Sequence, residues 1–203
     1  MNNYQLKTNY KYHSINPISR LLVNSFNKRI EKIIKKTKFN NLLDVGCGEG
    51  VTLSLLKKHI EHKDCLGIDL DATHIKMSNE NAPFCKYKIG NIYDLPLKEN
   101  SFEMVLCLEV LEHLKSPKKA LEQIKKVSSK YIIISVPKEP IWRFLNLTRG
   151  KYWKNFGNTP GHLNHWSSRR IKKLANRYFK VIKIYTPLPW TVLLCEIKTN
   201  DNK

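Results

Sequence analysis

The chain has 203 residues, of which 41% are hydrophobic, so it is long enough to form one globular domain with a full core. Its 36 Lys and Arg residues exceed its 17 Asp and Glu residues and give a net charge of +19, which predicts attraction to polyanions. No apolar run is long enough for a transmembrane helix and residues 1–13 are polar, so we expect no integral membrane segment and a cytoplasmic location.

The first structural pattern in the chain is an amphipathic helix that begins at Pro17. Apolar residues then recur at spacings of three and four, so that they share one face of a helix. These residues are Ile18, Leu21, Leu22, Phe26, Ile30, Ile33 and Ile34. We therefore predict that residues 1–40 form an N-terminal helical segment.

Residues 42–50, with the sequence LLDVGCGEG, predict a strand, a glycine-rich loop and the start of a helix. The glycines allow a sharp turn and a close approach of the backbone to a ligand. Gly46, Gly48 and Gly50 alternate with other residues, whereas a dinucleotide fingerprint has its third glycine one position later. Asp44 and Glu49 would repel a pyrophosphate but suit a ligand that carries an amine and a sulfonium.

From residue 41 onward, strand and helix patterns alternate, which predicts a parallel sheet with helices on both faces. The predicted strands are 41–46, 65–69, 84–89, 102–108, 130–136, 178–186 and 191–198. The predicted helices are 51–60, 72–80, 116–127 and 167–176. Only four residues, 187–190, separate the last two strands, so these strands should form an antiparallel hairpin.

Residues 137–166 depart from this alternation. The segment is rich in proline, aromatic and basic residues, and it leaves the carboxyl end of a strand, where open α/β sheets bind ligands. We predict that it is an insertion that faces the substrate. A segment that merely covers the sheet is the alternative.

The five cysteines, at positions 47, 65, 85, 107 and 195, have no spacing typical of a metal site. Four of them fall in predicted strands and Cys47 falls in the glycine loop. We expect them to be small buried hydrophobic residues in a reducing compartment.

Three further signals follow the glycine loop in a fixed order. Cys65 to Leu70 predicts a second strand that ends in an acid, the sequence GNIYDLPL begins at Gly90, and LEVLEHL begins at Leu108. In this order, over residues 40–137, the sequence resembles the class I S-adenosylmethionine-dependent methyltransferases, in the branch similar to quinone-biosynthesis methyltransferases. The resemblance implies one domain, residues 1–203, with a Rossmann-like, doubly wound α/β sheet of seven mostly parallel strands and an antiparallel C-terminal hairpin. In this family, a leading segment such as residues 1–40 often covers the cofactor pocket. A helix that packs on the sheet with a frayed tail before it is the alternative.

The resemblance also implies which residues bind the cofactor, S-adenosyl-L-methionine. Asp44 and the glycine loop would hold its methionine part, Asp69 would bind both ribose hydroxyls, and Leu70 and Ile92 would flank the adenine. Asn91 occupies a position where the family usually has an aspartate, and its amide oxygen can still accept a hydrogen bond. The expected cofactor residues are Asp44, Gly46, Cys47, Gly48, Gly50, Asp69, Leu70, Asn91, Ile92, Leu108 and Glu109.

Candidate catalytic residues follow the fourth strand. Glu112 and His113 would lie near the reacting methyl group, and His113 is the natural general base for a hydroxyl acceptor because its ordinary pKa lies near neutral pH. Trp142, His162 and His165 are candidate substrate residues in the insertion. Capping or purely structural roles are the alternatives for each of them.

The expected reaction is methyl transfer to an oxygen, nitrogen or carbon atom of a small or lipid-linked acceptor, without a metal. A first alternative is a divalent-metal-dependent RNA 2′-O-methyltransferase, because small-RNA enzymes of this kind resemble the chain in a Glu-x-x-Glu-His set and a later histidine. Its ligands here would be Glu109, Glu112, His113 and His162, and the net charge would suit RNA. A second alternative is a non-catalytic module that binds S-adenosylmethionine. The oligomeric state and the partner of the basic charge stay open, and a merely solvated lysine-rich surface is the simplest alternative.

Overall fold

The computed structural model describes residues 17–148, 150 and 152–198. Its core is one seven-stranded sheet with the strand order β3-β2-β1-β4-β5-β7-β6, in which β7 pairs antiparallel with β5 and β6 and the other pairs are parallel. The strands are β1 (Asn41–Val45), β2 (Asp64–Asp69), β3 (Lys86–Ile89), β4 (Phe102–Leu108), β5 (Ser128–Pro137), β6 (Phe179–Tyr185) and β7 (Trp190–Ile197). The predicted doubly wound sheet and its antiparallel C-terminal hairpin are confirmed.

Helices cover both faces of the sheet. They are α1 (Pro17–Lys36), α2 (Val51–Leu55), α3 (Lys57–Ile60), α4 (Ala72–Asn81), α5 (Pro117–Val127), α6 (Ile141–Thr148) and α7 (Ser168–Ala175), with 3₁₀ turns at Leu111–His113 and Trp153–Asn155. One face is buried beneath α5 and α7, and the other beneath α1, α2 and α3. Within the described ranges, no helix combines the length and the apolar character needed to cross a membrane.

The structure corrects three details of the predicted elements. The helix predicted at 51–60 is two short helices, because the backbone of Leu56 reaches ψ 0° and interrupts the first. The strand predicted at 84–89 begins only at Lys86, so that Cys85 lies just before it. The insertion contains α6, which the sequence reasoning did not predict. The part of the N-terminal segment before Pro17 lies outside the described residues.

The central strands explain where the site forms. β1 and β4 lie in the middle of the sheet, are buried along most of their length and pair with a strand on each side. The glycine loop leaves β1, residues 109–113 leave β4, and the insertion leaves β5, all at the same edge. The predicted site residues are thus carried to one edge by parallel strands.

Candidate active site

A cavity of about 790 Å³ opens at the carboxyl edge of the sheet, between the ends of β1, β2 and β4. This volume is typical of a cofactor pocket. Ten of the eleven predicted cofactor residues line it: Asp44, Gly46, Cys47, Gly48, Asp69, Leu70, Asn91, Ile92, Leu108 and Glu109. His113 and Phe26 also contribute to its wall, so α1 borders the cavity.

Asp69 fixes the glycine loop to the end of β2. The amide of Gly48 donates to Oδ2 of Asp69 at 2.8 Å, while the amide of Asp71 and Nδ1 of His74 lie 3.0 and 3.2 Å from Oδ1. The amides of Gly46 and Cys47 donate to the carbonyl of Ile68 at 2.7 and 3.0 Å. The loop is therefore preorganised from the neighbouring strand. Sequence spacing gave no indication of His74.

Asp44 lies beneath the loop and is only 3% exposed. Its burial, together with the negative charge of Asp69, raises the pKa of Asp44 to about 7. The carboxyl group therefore ionises near neutral pH, and a cation in the cavity would favour its charged form.

Gly50 has a different place from the other loop glycines. It does not line the cavity; a Cβ at this position would lie 2.8 Å from Cβ and 2.9 Å from Cα of Ser78 on α4. Gly48, in contrast, has open space where its Cβ would be. Gly50 thus allows α4 to pack closely, and Gly48 leaves the cavity clear.

Glu109 lines the cavity in a left-handed backbone conformation, with φ +59°. Its Oε1 accepts from the hydroxyl of Ser135 at 2.8 Å, and its Oε2 accepts from Nε1 of Trp190 at 2.7 Å. Both carboxylate oxygens are thus held by β5 and β7. Sequence reasoning missed both partners, although the antiparallel pairing of Pro137 with Trp190 places Trp190 at this edge.

Asn91 lines the cavity, and its Oδ1 accepts from the amide of Tyr93 at 3.0 Å. The oxygen that could have contacted an adenine amine already has a partner. This contact holds the turn after Gly90, and the side chain keeps its amide group as a donor.

His113 lies at the rim of the cavity, and its Nδ1 is 3.0 Å from the carbonyl oxygen of Gly161. Because a carbonyl only accepts, this contact requires the proton on Nδ1 and leaves the lone pair on Nε2. The neutral ring therefore has the tautomer that a general base needs.

The insertion clamps the turn that carries His113. The amides of Leu163 and Asn164 donate to the carbonyl of Glu112 at 2.8 and 3.0 Å. Nδ2 of Asn164 lies 3.2 and 2.7 Å from the carbonyls of Leu111 and Leu114. Residues 161–164 therefore determine the position of His113, a role that sequence reasoning did not assign to them.

Glu112, His113 and His162 form a cluster in which one ligand atom from each residue lies within 4.8 Å of the others. Glu112 is only 1% exposed and does not line the cavity, and the rings of His113 and His162 meet edge to face at 4.9 Å. Glu109, the fourth member of the alternative metal set, is not in this cluster.

The remaining substrate candidates separate into two groups. Trp142 stacks on His162 at 6.1 Å and meets Trp190 at 5.6 Å, so it belongs to the wall behind the cluster. His165 instead lies 3.7 Å from Oε1 of Glu139, away from the cavity lining. Burial raises the pKa of Glu139. The structure therefore brings Trp142 and His162 together with His113, but not His165.

Comparison with known proteins gives a consistent match. A family model described as a methyltransferase domain matches residues 43–131. The chain is 32% identical over 108 residues to an uncharacterized methyltransferase of Schizosaccharomyces pombe, covering 48% of this chain and 38% of that protein. It is 31% identical over 131 residues to the ubiquinone biosynthesis O-methyltransferase of Rickettsia bellii, covering 60% of this chain and 50% of that protein. The chain thus spans half or less of the length of these two curated relatives.

The fold is similar to that of a SAM-dependent methyltransferase from Aquifex aeolicus, with a TM-score of 0.71 at 17% identity, over 98% of this chain and 100% of that one. The resemblance predicted from the sequence is confirmed by these matches, as is S-adenosylmethionine as the cofactor of this family and fold.

Proposed function

We propose that this chain, which belongs to the class I S-adenosylmethionine-dependent methyltransferases, transfers a methyl group to a small or lipid-linked acceptor, most readily to a hydroxyl oxygen. The observation that carries the proposal is the single cavity wall that contains the glycine loop, Asp69 and His113. A cofactor position and a candidate base thus share one space.

The cavity fits S-adenosylmethionine in size and charge. Asp44 and Asp69 provide two carboxyl groups near a ligand with a sulfonium and an amine, and the open space at Gly48 admits the ligand close to the backbone. Asp69 would hold the ribose, and Leu70 and Ile92 would flank the adenine. When bound, the cofactor supplies an electrophilic methyl group.

The residues of the chain would then orient the acceptor and accept its proton. Nε2 of His113 would take the proton that an acceptor hydroxyl loses, and the Gly161 carbonyl keeps the ring in the required tautomer. Trp142 and His162 would form the wall on the acceptor side. Orientation of the two reactants supplies much of the rate in such a displacement. The name of the Rickettsia relative, an O-methyltransferase, supports an oxygen acceptor.

Calorimetric titration with S-adenosylmethionine tests the cofactor site. We expect micromolar binding that falls at least tenfold in Asp69→Ala. Asp71→Ala is the matched control, because Asp71 is an exposed acid that caps α4 two residues further on and lies outside the cavity lining. Equal affinity of wild type and Asp69→Ala would contradict the proposed site.

A metal-dependent RNA 2′-O-methyltransferase is a second candidate, and one observation favours it. Glu112, His113 and His162 are close enough to share a divalent ion. The set would have three protein ligands rather than four, because Glu109 is held by Ser135 and Trp190. Stoichiometric Mn²⁺ binding that is lost in His162→Gln, with transfer to RNA abolished by a chelator, would support this function. Full activity in the chelator would exclude it.

A further inference from the structure

We propose that the insertion docks on a membrane surface rich in anionic lipid, with its exposed aromatic side chains in the headgroup region and the basic segment beside them facing lipid phosphates. This inference goes beyond the methyl-transfer function, because docking requires neither the cofactor nor the acceptor.

Three aromatic side chains of the insertion are more than 60% exposed. Phe144 is 65% exposed, Trp153 is 66% exposed and Phe156 is 76% exposed. On α6, Phe144 is about 200° around the axis from Trp142, whose Nε1 donates to Thr159, so Phe144 points away from the packed side of the helix. Aromatic side chains of this kind favour the boundary between lipid and water.

The outward position of Phe156 is built into the backbone. Phe156 has φ +49°, a left-handed conformation that is rare for a bulky residue. Two hydrogen bonds from α6 side chains stabilise this conformation. Nε of Arg143 donates to the carbonyl of Phe156 at 3.0 Å, and Nδ2 of Asn146 donates to the carbonyl of Gly157 at 2.9 Å. The strain is not offset by burial of the ring, which points to a role for the exposed ring itself.

Further apolar side chains are exposed near the turn that carries His113 and on α1. Leu163 is exposed and its amide donates to the carbonyl of Glu112, next to His113. α1 exposes Ile18 and Leu21. We call these six residues the apolar rim: Ile18, Leu21, Phe144, Trp153, Phe156 and Leu163.

Aromatic contacts link the helices that carry the apolar rim. Phe26 of α1 meets Trp190 at 4.9 Å, and Trp190 meets Trp142 of α6 at 5.6 Å. Because Phe26 also lines the cavity, α1 and α6 are joined through this aromatic group beside the cavity wall.

The charge beside the apolar rim is complementary to an anionic surface. Residues 140–195 contain 11 Lys and Arg residues and no Asp or Glu, so this stretch supplies more than half of the net charge of +19. Four of these cations are exposed on α7, which begins directly after the insertion: Arg169, Arg170, Lys172 and Lys173.

Helix stability does not explain two of these cations, Arg169 and Arg170. Arg169 and Arg170 lie in the first turn of α7, where the helix dipole is positive and favours acidic residues. Because the surrounding stretch is free of acids, no neighbouring carboxylate in sequence offsets them either. An external anionic partner accounts for both the basic first turn of α7 and the absence of acidic residues around it.

The composition of the apolar rim favours lipid over nucleic acid. Aromatic rings stack on bases, but Ile18, Leu21 and Leu163 are aliphatic and have no stacking partner in RNA. A mixture of aromatic and aliphatic side chains bordered by cations is the pattern of interfacial membrane binding.

Vesicle sedimentation of the full chain tests the proposal, with phosphatidylcholine alone and with phosphatidylcholine and phosphatidylglycerol at about 2:1. We expect binding to the mixed vesicles alone, weakened at high salt, and a blue shift of tryptophan emission that is lost in Trp153→Phe. The aromatic variant Phe144→Ser/Trp153→Ser/Phe156→Asn should bind at least tenfold more weakly, with unchanged affinity for S-adenosylmethionine as proof of folding.

Two charge variants distinguish the effect of local charge on vesicle binding from the effect of net charge. Lys172→Glu/Lys173→Glu on α7 and Lys35→Glu/Lys38→Glu, at a different surface at the end of α1, change the net charge equally. We expect only the first pair to weaken vesicle binding substantially. Equal effects of the two pairs, wild-type binding by the aromatic variant, or binding of single-stranded RNA in place of vesicles would overturn the proposal.

Discussion

Nε1 of Trp190 donates a 2.7 Å hydrogen bond to Oε2 of Glu109, a residue 81 positions earlier in the chain. The contact joins the start of β7 to the loop after β4, and it holds an acid whose backbone has φ +59°. Glu109 can keep this conformation because Ser135 and Trp190 hold its carboxylate from two further strands. The part of the cavity wall that Glu109 forms thus depends on the C-terminal hairpin.

Replacing Trp190 with Phe should therefore destabilise the protein. The ring would still pack against Phe26, but the carboxylate of Glu109 would lose a donor in a largely buried position. Hydrogen bonds to charged groups contribute about 1.5–3 kcal/mol, and we expect a loss of that size in the free energy of unfolding. Urea titration measures it.

Trp166→Phe is the matched control for this prediction. Nε1 of Trp166 is buried and has no hydrogen-bond acceptor among the described residues, so its removal should cost little. A larger loss in Trp166→Phe than in Trp190→Phe would contradict the proposed importance of the Glu109 contact.

The ionisation of Asp44 should make stability depend on pH. Burial and the charge of Asp69 raise its pKa from 3.8 to about 7, so between these values the folded state binds a proton that the unfolded state has lost. The stability contributed by the protonated group is fully present below pH 3.8 and is lost as the pH rises through about 7. Relative to Asp44→Asn, the wild type should thus lose unfolding free energy between pH 5 and pH 8, by a few kcal/mol at most.

Cofactor binding should show the opposite pH dependence. A bound sulfonium and amine favour the ionised carboxylate of Asp44, so affinity for S-adenosylmethionine should rise between pH 6 and pH 8 and binding near pH 6.5 should release a proton. Titration calorimetry in buffers of different ionisation enthalpy counts this proton. Equal proton release by wild type and Asp44→Asn would rule out Asp44 as its source.

Alanine at Gly48 and at Gly50 should have different effects. Both glycines have positive φ, at +53° and +73°. Gly50→Ala also places a methyl group 2.9 Å from the backbone of Ser78, so we expect a loss of about 2–4 kcal/mol in the free energy of unfolding.

Gly48→Ala should instead cost only about 1–2 kcal/mol of stability, because the new methyl group meets open space. Gly48 lines the cavity, so we expect the affinity of Gly48→Ala for S-adenosylmethionine to fall at least tenfold. Thermal unfolding measures the stability of both variants, and calorimetry measures their affinity for S-adenosylmethionine. A larger stability loss at Gly48 than at Gly50 would contradict the packing shown by the structure.

The sequence predicted the sheet well, and most of the predicted cofactor residues line one cavity, because these features are local. Alternating apolar runs indicate the strands, and the carboxyl ends of parallel strands bring Asp44, Asp69 and Glu109 to one edge without further information. The acceptor side depends on contacts between distant segments. That the carbonyl of Gly161 would meet His113, or that Trp190 would meet Glu109, has no signal in residue spacing, because both depend on how the insertion and the hairpin fold back.

His113 provides the sharpest test of the proposed chemistry. Its Nδ1 bonds to the carbonyl of Gly161, and its Nε2 is the nitrogen left to accept a proton. In His113→Asn the side-chain amide nitrogen can take the place of Nδ1 and keep that hydrogen bond, while Nε2 is removed. The variant should therefore fold and bind S-adenosylmethionine as the wild type does, while labelled-methyl transfer to the acceptor fraction of a cell extract falls about 10²–10⁴-fold.

The split between kcat and KM distinguishes a base from a positioning residue. If His113 is the base, His113→Asn should lower kcat for the acceptor fraction and leave its apparent KM unchanged. His165→Asn is the matched control, since His165 lies beside Glu139 and outside the cavity lining, and it should keep both kcat and KM. Wild-type rates in His113→Asn would mean that the acceptor loses its proton elsewhere. A raised KM at an unchanged kcat would assign His113 to orientation alone.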